Sequence, residues 1–103
     1  MEQEKGCPAC ERHKRTPRDE AEIRQLKNRL NRIMGQLNGI GRMLDENRYC
    51  GDILIQLAAA ESALQSLGYS ILQEHMRTCM AEDILAGRTE SVDEVFDLIR
   101  KLK

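Results

Sequence analysis

Cys50, His75 and Cys79 are the residues of this chain whose types and spacing point most directly to chemistry. His75 and Cys79 stand four apart in a stretch with helical periodicity, so they project from one face, a turn apart, and can hold one ion together. Cys50 offers a third soft donor, but it precedes His75 by 25 residues. In a straight helix that separation is about 37 Å along the axis, so the three cannot meet within one chain. They can meet if the helix packs antiparallel against its copy in a second subunit, where the start of one helix lies beside the end of the other. A dimer would then carry two equivalent sites, each built from Cys50 of one chain and His75 with Cys79 of its partner. Two thiolates and one imidazole form a soft, low-coordinate set that favours copper(I), with zinc admitted if a fourth ligand or water joins. The same residues allow plainer readings: Cys50 and Cys79 as small buried side chains with His75 exposed, or a disulfide or persulfide bridge between Cys50 and Cys79 of neighbouring chains. His75 separates these readings, because pure thiol chemistry needs no imidazole ligand.

Cys7-x-x-Cys10 with His13 forms a second cluster, able in principle to hold metal or to cycle as a dithiol. In a reducing cytosol four cysteines more often serve metal ligation or thiol chemistry than disulfide scaffolding. No nucleophile, base and orienting group occur in a pattern that suggests an enzyme.

The elements that must position these residues are helical. The chain has 103 residues, 3% aromatic and 32% charged, a composition that suits helices with narrow apolar seams and no β core. Residues 1–15 lack apolar periodicity and are expected to be a mobile tail, with residues 16–103 forming one helical DNA-binding and metal-sensing domain. Thr16 is the expected N-cap of the first helix, with Pro17 in its first turn and Asp19 favouring the positive end of its dipole. Ile23, Leu26, Leu30, Ile33, Leu37, Ile40 and Leu44 then follow at spacings of three and four, an unbroken heptad seam. A second long helix opens near Tyr49, carries Ile53, Leu57, Ala60, Leu64, Leu67 and Ile71, and ends at Gly87. Ser91-x-x-Glu94 reads as a capping box for a short third helix. Two long antiparallel helices cannot enclose a core alone, but two such hairpins can pair as a four-helix bundle, and dimers can pair again. The longest apolar stretch, Ile53 to Ala60, is too short to span a bilayer, so no membrane role and a cytoplasmic location are expected.

A net charge of -1 hides an asymmetry: residues 1–48 hold eleven Lys and Arg against eight Asp and Glu, and residues 49–103 hold five against nine. Between Ile23 and Leu44 stand Arg24, Lys27, Arg29, Arg32 and Arg42 without one carboxylate, and Arg12, Lys14, Arg15 and Arg18 extend the positive zone. A solvated helix face usually mixes signs. Cations interleaved with Gln25, Asn28, Asn31 and Asn38 suit a phosphate backbone with amides available for base edges, and the scarcity of aromatics disfavours single-strand recognition by stacking.

Asn28-Arg29-Leu30-x-Arg32-Ile33-x-Gly35-Gln36-Leu37-x-Gly39-Ile40, Tyr49-Cys50-x-Asp52-Ile53-Leu54-x-Gln56 and His75-x3-Cys79, in that order, strongly resemble the copper-sensitive operon repressor (CsoR) family over residues 20–102. The resemblance implies a three-helix protomer forming a homodimer and then a homotetramer, which grips double-stranded operator DNA and releases it when copper(I) binds. It implies Cys50, His75 and Cys79 as the copper(I) ligands and Tyr49 and Glu94 as neighbours linking the site to the DNA-binding state; the cationic face separately offers Arg18, Arg24, Lys27, Arg29 and Arg32 as DNA contacts. Relatives sensing nickel, cobalt or formaldehyde replace the last Cys and persulfide sensors lack the His, so retention of all three favours copper. A thiol, persulfide or electrophile sensor using Cys50 and Cys79 is the alternative. Two departures bear on DNA binding: Gln65 and Ser66 occupy the middle of the second helix where close relatives have Lys or Arg, and Asn38 replaces a frequent basic residue.

Overall fold

A computed structural model describes residues 12–102, and every described segment of regular structure is helical. Helix α1 runs Glu20–Asp45 and helix α2 runs Cys50–His75. A single turn of π-helix, Met76–Met80, follows without a break and passes into helix α3, Ala81–Leu85; helix α4 spans Glu90–Leu102. The backbone stays in the right-handed helical region at Met76, Met80 and Ala81, so Cys50 to Leu85 is one continuous rod. At 1.5 Å per residue such a rod is about 54 Å long, which matches the 55 Å long dimension of the protomer.

The helix ends differ from expectation at two points. Asp19, not Thr16, caps α1: its carboxylate accepts from the Glu22 amide while the Glu22 side chain accepts from the Asp19 amide, a complete capping box. Thr16 instead donates its hydroxyl to Glu82 Oε2 at 2.8 Å. Helix α4 begins at Glu90, ahead of the expected cap, and Ser91 lies inside its first turn with its hydroxyl on Asp83 Oδ2, so Ser91 and Glu94 form no capping box. The physical reason is the same at both points: each cap-like hydroxyl is bonded to a partner more than seven residues away in sequence.

Both long elements end in the same motif. Arg48 N bonds Met43 O and Asn47 N bonds Leu44 O, with Asn47 at φ 55. Arg88 N bonds Asp83 O and Gly87 N bonds Ile84 O, with Gly87 at φ 84. These are Schellman ends, which need a left-handed residue that Gly supplies without strain and Asn tolerates.

The hairpin buries only half of its predicted seams. Ile33 and Ile40 of α1 meet Ala60 and Leu67 of α2 in the interior, with Leu72 and Val95 completing the buried apolar set. The alternate seam residues face outward: Leu30 is 42% exposed, Leu37 46% and Leu44 60%. On α2, Leu57 and Leu64 do the same. Two apolar stripes at heptad spacing thus stand side by side on one face of the hairpin. The radius of gyration, 17.3 Å, exceeds the roughly 13 Å of a compact domain of this length. No helix of the described residues is long and apolar enough to cross a membrane.

Candidate metal and nucleic-acid sites

The candidate ligands fall at opposite ends of α2. Cys50 is its first residue, exposed, directly after Tyr49, which adopts an extended conformation as the N-cap. The Tyr49 ring folds back over Gly51, where an added Cβ would stand 2.6 Å from the ring edge, so the absence of a side chain at Gly51 is what makes room for the ring. His75 is the last residue of α2, and Cys79 lies in the π-helical turn that follows. Twenty-six residues of helix hold the two ends about 37 Å apart. Accordingly, among the described residues no three His, Cys, Asp or Glu side chains of one chain gather as a metal site.

His75 and Cys79 do share a cleft of about 340 Å³, with Glu94 and Leu98 of α4 on one wall and Arg12 to Arg15 on another. His75 Nε2 is buried and has no hydrogen-bond partner among the described residues; Glu94 Oε1 is 4.0 Å away, beyond hydrogen-bond distance. An unpaired buried nitrogen costs free energy unless something supplies a partner, so it fits a site that completes itself by binding. An imidazole nitrogen and a thiol in one cleft are the right donors for a soft ion. The local backbone is also unusual: π-helical turns are rare and recur at functional sites. Thr78, between the two candidate ligands, donates its hydroxyl to the Glu74 carbonyl at 2.8 Å, a side-chain bond that competes with the regular helical ladder. Nothing in the apolar spacing signals this turn.

The described part of the segment expected to be a tail packs against this cleft. Lys14 Nζ donates to Cys79 Sγ at 3.1 Å and to Thr78 Oγ1 at 3.2 Å. Arg12 meets Glu94 at 3.4 Å, Arg15 meets Asp83 at 2.9 Å and Arg18 meets Glu74 at 2.9 Å. These contacts are polar, which is why apolar periodicity did not reveal them. His13 lines the cleft, whereas its companions Cys7 and Cys10 lie outside the described residues.

The cationic residues of α1 divide by environment. Arg24, Lys27 and Arg32 are exposed, and Arg24 and Lys27 flank a shallow groove with Asn28 and Asn31. Arg29 is half-buried and spans to α2, donating to Ser70 Oγ at 2.8 Å and Ser66 Oγ at 3.2 Å. Arg18 is the exception in the predicted set, its charge met by Glu74. Asp83 is a site residue that spacing missed: its carboxylate accepts from Arg15, Arg88 and Ser91 and ties the end of α3 to the start of α4.

An elongated helical hairpin, with soft donors split between the two ends of α2 and cations without a carboxylate from Ile23 to Leu44 of α1, fits the class of effector-responsive regulators. Residues 22–101 match the model of the metal-sensitive transcriptional repressors, and the chain belongs to that family. It is 38% identical over 78 residues to the copper-sensing transcriptional repressor CsoR of Bacillus subtilis (strain 168), covering 75% of this chain and 77% of that protein. Over 59 residues it is 42% identical to the copper-sensing transcriptional repressor RicR of Mycobacterium tuberculosis, covering 57% and 62%. Its fold superimposes with a TM-score of 0.81 on the crystal structure of the copper-sensing repressor CsoR with Cu(I) from Geobacillus thermodenitrificans NG80-2, at 38% identity over 88% of this chain and 96% of that one. The nickel-responsive transcriptional regulator InrS matches at a TM-score of 0.66 and 32% identity, over 88% and 100%.

Proposed function

We propose that this chain is a cytoplasmic copper(I)-responsive repressor, a homodimer that pairs into a homotetramer, holding double-stranded operator DNA through α1 and releasing it when copper(I) binds. In this reading Cys50 of one subunit and His75 and Cys79 of its partner hold the ion, with Tyr49 and Glu94 beside them. The observation that carries it is the buried, unpartnered His75 Nε2 in one cleft with Cys79, at the far end of a helix that starts with Cys50. Antiparallel pairing of two hairpins through their exposed Leu stripes would cover the apolar faces and bring opposite helix ends together. The donor set is softer than nickel or cobalt prefers; zinc would need a further ligand. Three groups from two chains would also make metal binding sensitive to how the subunits are set, which is what links it to the DNA-binding surface. Linkage of this kind is worth about 1–3 kcal/mol, or 5- to 150-fold, and is reciprocal, so DNA must weaken copper binding by the same factor.

An anaerobic titration of the reduced protein with copper(I) against a competing chelator, with and without operator duplex, tests the reading. One tightly held copper per protomer, held less tightly on DNA, is the expected result. Unchanged copper affinity on DNA would sink the linkage, and weak binding throughout would turn the reading toward a thiol or persulfide sensor using Cys50 and Cys79.

A further inference from the structure

The departure at Ser66 acquires a physical meaning from its neighbour across the hairpin. The serine hydroxyls at positions 66 and 70 stand one turn apart on α2 and both accept from the Arg29 guanidinium, through Nη2 at 3.2 Å and Nη1 at 2.8 Å. Arg29 and Arg32 of α1, with Gln36 and Ser66, line a cleft of about 400 Å³ between the two helices. Other arginines of the protomer are differently engaged: Arg12, Arg15, Arg18 and Arg88 each meet a carboxylate. A hydroxyl pair restrains the guanidinium yet leaves its charge uncancelled and part of its N–H fork free. Both partners sit on packed helices, so the restraint fixes position as well as rotamer.

We propose that Ser66 and Ser70 are positioning residues that hold Arg29 ready for a backbone phosphate of duplex DNA, seated in the α1–α2 cleft beside Arg32 and Gln36. The inference rests on the repressor reading and names a specific seat within it. A rigid, preformed Arg loses less conformational entropy on gripping phosphate than a freely moving Lys would. A pair of neutral hydroxyls can thus stand where a second cation would otherwise add charge.

The test is a double-mutant cycle on the reduced, metal-free full-length chain, read by fluorescence anisotropy with a labelled duplex selected from a random-sequence pool by the wild-type protein. Arg29→Ala is expected to weaken binding at least about tenfold and to lower the salt slope by about one for each subunit that engages the duplex. Ser66→Ala with Ser70→Ala is expected to weaken binding about fivefold, and the Thr pair at the same positions to restore it. In the Arg29→Ala background the Ala pair should cause no further loss, because the residue it positions is gone. Alanine is the better helix former, so a loss from unfolding is not expected, and thermal melts check this. An equal loss with and without Arg29, or no loss from the Ala pair, would overturn the proposal while leaving the repressor reading standing. A wild-type chain that selects no duplex would overturn both.

Discussion

His75 Nε2 is the one buried side-chain nitrogen or oxygen without a partner among the described residues, and it lies where a soft-metal ligand was expected from spacing. A structural histidine would normally be satisfied by a protein carbonyl or carboxylate. Replacing His75 with Ala should therefore do little harm to folding and lower copper(I) affinity by at least about a hundredfold. If Cys50 and Cys79 were instead a thiol sensor, the same variant would keep its full effector response; chelator competition beside an oxidant titration distinguishes the two. The candidate ligands were legible because metal donors are few and their spacing is informative. The groups surrounding them were not: Lys14 reaches Cys79 and Arg29 reaches Ser70 across 65 and 41 residues. Such pairings follow from packing, and no local pattern encodes them.

At the scale of elements, helix periodicity was clear and helix ends were less so. The heptad spacing of α1 and α2 reflects burial on one face, which the hairpin honours at Ile33, Ile40, Ala60 and Leu67. The caps depend on competition among polar residues, and Asp19 prevails over Thr16 because Thr16 is bonded to Glu82. Asp19→Ala should cost about 1 kcal/mol by chemical denaturation, and Thr16→Ala should not show a helix-capping loss. Asp83 joins α3, α4 and the segment before α1 through three donors, and it is mostly shielded from solvent. Asp83→Ala should therefore lower stability by about 1–3 kcal/mol, with the earliest loss of hydrogen-exchange protection in α4. A uniform loss across all helices would mean that Asp83 is not the tie between these elements. The π-helical turn was illegible for a different reason: Met76–Met80 holds no Gly or Pro to mark a break, and one extra residue per turn leaves no mark on composition.

The whole protomer is an incomplete structure. A 55 Å rod carries a single small interior, while Leu30, Leu37, Leu44, Leu57 and Leu64 present an apolar face to solvent. Fully burying such a side chain is worth roughly 1.5–3 kcal/mol, and these are already about half buried. Covering the rest is worth on the order of 1 kcal/mol each before the cost of association, a gain that a second hairpin covering all of them would sum. Leu37→Glu should place a charge in that seam and yield monomers in sedimentation analysis, with loss of copper and DNA binding together. A monomeric variant that still held copper tightly would contradict a shared site. At this scale the stripe left over on each helix once the hairpin has packed is what pairing as a four-helix bundle would cover, and a direct measurement reads whether two subunits share the metal site.

That measurement is complementation between defective subunits. Cys50→Ala and Cys79→Ala chains, each unable to bind copper(I) tightly alone, are unfolded together, refolded as a mixture and titrated against a chelator. A site shared between subunits is restored once in each mixed dimer, giving about one tight copper per four chains. No recovery in a mixture shown by mass spectrometry to contain mixed dimers would contradict the shared Cys50, His75 and Cys79 site.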